Sequence, residues 1–96
     1  MKIRDTIWLQ RVVDKLLVKH DVTTEEVDAA IHRLSHVKRL EKGHFENEDL
    51  FSGFGRSDAG RYLTIFFIYK STQEALIISA RESTKREKRY HGKRSF

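Results

Sequence analysis

The sequence contains no cysteine and no proline, and only five of its 96 residues are glycine. Without cysteine the chain can form no disulfide framework, no cysteine-ligated zinc ribbon and no thiol nucleophile. It also lacks an apolar run long enough to span a membrane, and the first ten residues have no signal-peptide apolar stretch. We therefore expect a cytoplasmic protein that makes no contact with membranes.

Positive charge is concentrated at the C-terminal end. Residues 1–80 hold twelve lysines and arginines against twelve aspartates and glutamates, whereas residues 81–96 hold seven against two. A basic block of this kind attracts polyanions, and affinity for nucleic acid falls with salt because bound phosphates release counterions. The other interpretation is a solvated tail without a partner, because charge runs commonly serve solubility.

The first part of the chain has the pattern of two helices in a single domain covering residues 1–96. Between Trp8 and Val18 the apolar residues recur with the spacing of one helical face. A second helix is expected after an N-cap at Thr23 or Thr24, because acidic residues follow in its first turn. This order of elements, helices before strands, predicts an α+β fold.

After Gly43 the pattern changes to that of strands. A turn at Gly60 and another over residues 71–74 predict two successive hairpins, and residues 36–43 supply an edge strand. Residues 61–70 are apolar or aromatic at both alternate sets of positions, so this strand should be central. We expect an antiparallel sheet of three to four strands.

A short C-terminal helix should follow the last strand. Thr84 and Glu87 have the spacing of a capping box, so the helix should begin at about residue 85. Only Tyr90 is expected to enter a core from this helix. On a helix Arg86 and Tyr90 share one face, and Arg81 at the strand end could point into the same region.

Two other motifs have ordinary explanations. Asp58 follows the Gly53-Phe54-Gly55 segment at the position of the third glycine in a dinucleotide fingerprint, and no helix follows, so the segment predicts a bulge or close packing rather than a nucleotide loop. His32 and His36 have the spacing of a metal-binding pair on a helix, but no third ligand adjoins them. Surface histidines are the favoured interpretation.

The end of the chain contains every group that metal-free RNA cleavage needs. The reaction needs a base for the 2′-hydroxyl proton, cations for the phosphorane charge and an acid for the departing 5′ oxygen. Plain binding of nucleic acid or of an acidic partner is the alternative, with each residue in an ordinary structural role. The residues concerned are Arg81, Lys85, Arg86, Glu87, Lys88, Arg89, Tyr90 and His91.

Three segments carry a resemblance to a known family. "WLQRVVDKLLVKHDVTTEEV", "GRYLTIFFIYK" and "LIISARESTKREKRY" resemble the BrnT family of type II toxins, within the broader group that shares the fold of the RelE ribonucleases. The most specific part is residues 78–81 followed by Thr84, Glu87 and Arg89.

This resemblance implies a RelE-like domain that acts as a metal-independent endoribonuclease without a cofactor and slows growth. A BrnA-like ribbon-helix-helix antitoxin would neutralise it, and operator DNA would be bound only through that antitoxin. The positions that match the family's pattern are Lys19, His20, Arg61, Arg81, Glu87 and Arg89.

The roles we assign combine the chemistry with the resemblance. Arg81 and Arg86 would bind the scissile phosphate, Glu87 or His91 would be the base, and Tyr90 or His91 the acid. The RNA-binding residues would be Lys19, His20, Arg61, Lys85, Lys88 and Arg89.

The chain also departs from the family. Leu9, Val12 and Leu16 are apolar where the family has polar residues, and His91 occupies the usual tyrosine position, with Tyr90 one position early. These departures keep open a second hypothesis, a catalytically inactive RelE-like module that binds nucleic acid or the antitoxin. A housekeeping RNA-binding domain is a third.

Overall fold

The protein forms a five-stranded sheet with two helical segments on one face and a basic helix on the other. The computed structural model describes residues 1–43 and 48–93, and side chains as far as residue 91. The elements are β1 (Asp5–Ile7), α1 (Gln10–Lys15), a π-helical turn (Leu16–His20), α2 (Thr24–Ile31), β2 (Ser35–Glu41), β3 (Leu50–Arg56), β4 (Tyr62–Tyr69), β5 (Glu74–Glu82) and α3 (Lys85–Lys93).

The strands lie in the order β1-β5-β4-β3-β2. The predicted meander is confirmed: β2, β3, β4 and β5 are successive antiparallel neighbours, β4 is central and β2 is an edge. The number of strands was predicted wrongly, because Asp5–Ile7 adds a fifth strand parallel to β5. A run of three residues carries no strand pattern of its own, and its pairing is fixed only by the tertiary structure.

The first helix differs from its prediction. It begins at Gln10, and its second half widens into the π-helical turn, which ends at His20 before Asp21 in a left-handed conformation. Val12 and Leu16 are buried, but Leu17 is 55% exposed. A π turn adds a residue to the helical repeat, so residues beyond Leu16 rotate away from the face that α1 presents to the core.

The second helix follows its prediction closely. Thr23 is the N-cap, and its hydroxyl accepts a hydrogen bond from the backbone N–H of Glu26 at 3.2 Å. The carboxylate of Glu26 in turn accepts from the backbone N–H of Thr23 at 3.1 Å, which completes a capping box. The backbone N–H groups of Thr23 and Glu26, which have no acceptor within the helix, are therefore both hydrogen-bonded.

One face of the sheet forms the core with these helices. On β4 the residues Leu63, Ile65 and Phe67 are fully buried, whereas Phe66 between them is only half-buried. Strand residues alternate between faces, so the odd positions of β4 face the helices. The core cluster consists of Val12, Leu16, Val22, Val27, Ala30, Ile31, Leu63, Ile65, Phe67, Ala75, Ile77 and Ala80.

The glycines of β3 mark close packing, as predicted. A Cβ atom at Gly55 would collide with the backbone carbonyl of Ala30 in α2, and one at Gly53 would collide with the side chain of Leu34. Helix α2 can therefore lie close to β3 because two helix-facing positions of that strand carry no side chain. Within residues 1–43 and 48–93, no helix is long and apolar enough to cross a membrane.

We expect Gly55→Ala to cost about 1–3 kcal/mol of stability and Gly53→Ala to cost less. The difference arises because the backbone of Ala30 cannot move without shifting α2, whereas the side chain of Leu34 can change rotamer. Urea unfolding of both variants, with unchanged m-values, measures the two costs. A Gly53 variant as destabilised as the Gly55 variant would show that the backbone contact does not limit the packing.

Candidate nucleic-acid interface

The site begins where β5 ends and α3 starts. The backbone N–H of Thr84 donates to the Glu87 carboxylate at 2.8 Å, and the backbone N–H of Glu87 donates to the Thr84 hydroxyl at 3.1 Å. The predicted capping box is thus confirmed, and α3 begins at Lys85. The cap also fixes the rotation of the helix relative to the sheet below it.

The carboxylate of Glu87 makes a second set of bonds to Arg81. The guanidinium donates from Nη1 to Oε1 at 2.7 Å and from Nη2 to Oε2 at 3.1 Å. The side chains are 35% and 27% exposed, so the pair is largely shielded from water. Two parallel charge-assisted bonds hold Arg81 in one orientation, with its guanidinium carbon 5.6 Å from the centroid of the Phe66 ring.

This ion pair controls the protonation of Glu87. The hydrogen bonds from Arg81 lower the pKa of the carboxyl from 4.5 to about 2, against the opposing effect of burial, and the backbone N–H of Thr84 lowers it further. A carboxylate with so low a pKa is a weak proton acceptor at neutral pH. Of the two bases that we considered, the lowered pKa of Glu87 therefore favours His91, and the bidentate pair shows that Glu87 positions Arg81.

His91 lies one turn further along α3 and contacts the sheet. Its ring centroid is 4.3 Å from that of Phe54 and 4.3 Å from that of His36. Burial lowers the pKa of the His91 imidazole, and the charge of His36 lowers it further, against an opposing effect of Glu87. The imidazole is therefore biased towards its neutral form, which is the form that can accept a proton.

His36 is a site residue that the sequence did not indicate. The sequence predicts His36 as the first residue of an edge strand and as a surface histidine, and it does lie in β2, with a positive φ of 52°. His32 is exposed, and its ring contacts the carbonyl of Asp28. Among the described residues, no three histidine, aspartate or glutamate side chains are grouped as metal ligands.

The prediction that Tyr90 enters a core was wrong. Tyr90 is 54% exposed, whereas Glu87, Lys88 and His91 are half-buried against the sheet. The capping box sets the helical phase, and with 3.6 residues per turn this phase points position 91 inwards and position 90 outwards. The ring of Tyr90 still meets that of His91 edge-on, with centroids 5.3 Å apart.

Three cations of α3 point outwards. Lys85, Arg86 and Arg89 are exposed, so they form a basic surface on the outer side of the helix. Arg81 is paired with Glu87, whereas the neighbouring Arg86 is exposed on the outer side of the helix. Arg94, one of the seven C-terminal cations, lies outside the described residues.

Three of the predicted RNA-binding residues lie on the helix-bearing side of the sheet. Arg61 donates to the backbone carbonyls of Asp21 at 2.7 Å and His20 at 3.3 Å. It also forms ion pairs with Glu26 and Glu82, each at 3.2 Å. The structure therefore does not bring Lys19, His20 and Arg61 to α3, and the bonds of Arg61 give it a structural role.

No model of a protein family matches the chain, and no curated protein matches its sequence at a significant level. The resemblance to BrnT toxins therefore stays a prediction. Support for a function comes from the groups of the site itself: an oriented guanidinium, a neutral-biased imidazole and an outer row of cations. Together these groups can bind a phosphodiester, take a proton beside it and hold the strand that carries it.

We expect Arg61→Ala to lower the free energy of unfolding by about 2–4 kcal/mol, because it removes the ion pairs with Glu26 and Glu82 and leaves two backbone carbonyls without the Arg61 donor. Arg33→Ala is the matched control, since Arg33 forms an exposed ion pair with Asp58 and its loss should cost less than about 1 kcal/mol. Urea unfolding measures both. Equal costs would contradict the structural role of Arg61.

The pH dependence of stability should report on His91. Its pKa in the folded protein is lowered from 6.5, so the unfolded chain binds the proton more readily. The contribution of His91 should be complete above about pH 6.5 and decline as the pH falls below it. We expect His91→Phe to remove this decline, because phenylalanine keeps the ring contacts but does not titrate.

The measurement is thermal unfolding between about pH 7.5 and pH 5, above the range in which carboxylates take up most of their protons. His32→Phe is the control, because His32 is exposed and remote from α3, and this variant should keep the wild-type dependence. An unchanged dependence in the His91 variant would refute the prediction.

Proposed function

We propose that this protein is a metal-independent endoribonuclease and the toxin of a type II toxin–antitoxin pair. The observation that carries the proposal is that Glu87 of the basic helix α3 holds Arg81 in a bidentate ion pair, while His91 of the same helix packs against Phe54 on the same face of the sheet. An oriented guanidinium and a neutral-biased imidazole are the groups that 2′-hydroxyl attack on a phosphodiester requires.

In this mechanism the 2′ oxygen attacks the adjacent phosphorus while His91 takes its proton. The bond from phosphorus to the 5′ oxygen breaks, and Tyr90 gives a proton to that leaving oxygen, which yields a 2′,3′-cyclic phosphate. Arg81 stabilises the charge on the phosphorane, and Glu87 keeps the guanidinium in place. The outer cations Lys85, Arg86 and Arg89 bind the flanking backbone.

The partner that we propose is a BrnA-like ribbon-helix-helix antitoxin, which carries any contact with operator DNA. This part of the proposal rests on the family resemblance. It is supported by apolar surface on the first helical segment, where Leu17 is 55% and Val18 is 83% exposed. Exposed apolar side chains grouped on one helix suit contact with another protein.

One observation favours a second function, a binding module without catalytic activity. Arg81 is already paired with Glu87. The negative charge of the carboxylate offsets the positive charge of the guanidinium, so the pair attracts a phosphate less strongly than a free guanidinium does. In that case the outer surface of α3 would still bind RNA, but Arg81 would not take part in cleaving it.

The first experiment is incubation of labelled RNA with the purified protein in excess EDTA, alongside Arg81→Ala and Arg86→Ala variants shown to be folded. We expect products that end in a 2′,3′-cyclic phosphate, and their loss in the Arg81 variant. Because Arg86 lies on the outer face, its variant should mainly weaken RNA binding. Salt-sensitive binding without cleavage, in the presence of ribosomes as well, would favour the inactive module.

Two further variants separate the roles of Glu87 and His91. Glu87→Gln keeps an oxygen that can accept from Thr84, so the cap survives while the ion pair is lost. We expect it to lower the cleavage rate by less than about tenfold, whereas His91→Gln should lower it by roughly 100-fold or more, as loss of a general base does. The reverse order would identify Glu87 as the base.

A further inference from the structure

A straight row of four side chains crosses the open face of the sheet beside α3. Ser52 of β3 lies opposite Phe66 of β4, and Ser79 of β5 lies opposite Phe66 on its other side. Lys38 of the edge strand β2 lies opposite Ser52. We call these residues the cross-strand row: Lys38, Ser52, Phe66 and Ser79.

The register places the whole row on the face away from α1 and α2. The neighbouring positions Gly53, Ile65 and Ala80 are buried and face the helices. Residues that are paired across antiparallel strands share a face, so the row faces the opposite way. Lys38 is exposed, and the other three residues are half-buried.

The two sides of the row differ in chemistry. On the side of α3, the guanidinium of Arg81 lies over the Phe66 ring at 5.6 Å from its centroid. On the other side, a depression of about 280 Å³ is lined by the apolar residues Leu50, Ile68 and Ile78 together with Glu41, Lys42, Gly43 and Glu48. Ile78 is 39% exposed, because a register shift between β4 and β5 places it on this face. The row thus lies between a cationic group and a depression of mixed apolar and charged lining.

We propose that the cross-strand row is a nucleobase subsite for single-stranded RNA. The ring of Phe66 offers an aromatic surface on which a base stacks, and the hydroxyls of Ser52 and Ser79 flank it at one strand spacing, about 4.8 Å, on each side. Each hydroxyl can both donate and accept a hydrogen bond, so the subsite can bind a base that presents either a donor or an acceptor. Lys38 and Arg81 bind the phosphates that flank the base.

The positive charge near this face favours RNA over a protein segment as the ligand. An apolar sheet face alone would suit either, but Lys38 and Arg81 lie on either side of Phe66 and the exposed cations of α3 lie beyond. A polyanion with flat bases complements this surface better than an apolar helix does. The inference deepens the proposed function and rests on it for the identity of the ligand.

The test is binding of the purified full chain to a 2′-O-methyl RNA oligonucleotide and to an abasic oligonucleotide with the same backbone. The methylated RNA has no free 2′-hydroxyl, so it cannot be cut by 2′-hydroxyl attack. We expect the wild type to bind the oligonucleotide with bases roughly five- to 100-fold more tightly than the abasic one. Phe66→Leu, which keeps an apolar side chain in the strand, should remove most of this difference.

Lys38→Ala tests the phosphate contact, and Lys15→Ala is its matched control. Lys15 lies exposed on α1, on the opposite face, and its loss changes the net charge equally. We expect Lys38→Ala to weaken binding of both oligonucleotides and to lower the salt dependence by about one phosphate contact, and Lys15→Ala to do neither. Circular dichroism confirms that each variant is folded.

The outcomes distinguish failure of the proposed base-binding subsite from failure of the proposed nuclease activity. Base-dependent binding that Phe66→Leu removes supports the subsite, even when unmodified RNA is not cleaved. Equal affinity for both oligonucleotides, or no binding of either, overturns the subsite, whether or not the protein cleaves RNA. Base dependence that persists in Phe66→Leu also overturns it and moves base contact away from the row.

Discussion

The bidentate ion pair between Arg81 and Glu87 joins the C-terminal helix to the end of β5. Helix α3 has almost no apolar surface, so hydrophobic burial contributes little to its attachment. Its position depends on this pair, on the Thr84 cap and on the contact of His91 with Phe54. The same carboxylate caps the helix and orients the guanidinium, so folding of α3 also fixes the group that we propose to bind phosphate.

The two faces of the sheet carry separate tasks. On the helix-bearing face, Arg61 joins the end of the π-helical turn to Glu26 of α2 and Glu82 of β5, and the apolar core lies beside it. On the other face, polar and aromatic side chains remain accessible next to α3. The buried contacts that stabilise the fold thus lie on the helix-bearing face. The groups proposed to bind RNA lie on the other face, where they are accessible to an RNA strand.

Local signals in the sequence predicted much of this structure, and long-range contacts account for what it did not predict. The N-cap of α2, expected at Thr23 or Thr24, and the capping box at Thr84 lie within one turn and were predicted. The position of His91 against His36 depends on how α3 crosses the sheet, which no local pattern encodes. The role of Arg61 was missed for the same reason, because its four partners come from three distant segments.

The parallel strand β1 has a consequence for synthesis on the ribosome. Its neighbouring residue Arg4 bonds to the carbonyl of Thr72, which lies 68 positions later in the chain. At a synthesis rate of about 5–20 residues per second, the partner of the N-terminal strand is made roughly 3–14 seconds after that strand. β1 therefore cannot pair until the first residues of β5 have been made, and it stays without its sheet partner while the segment from α1 to β4 is synthesised.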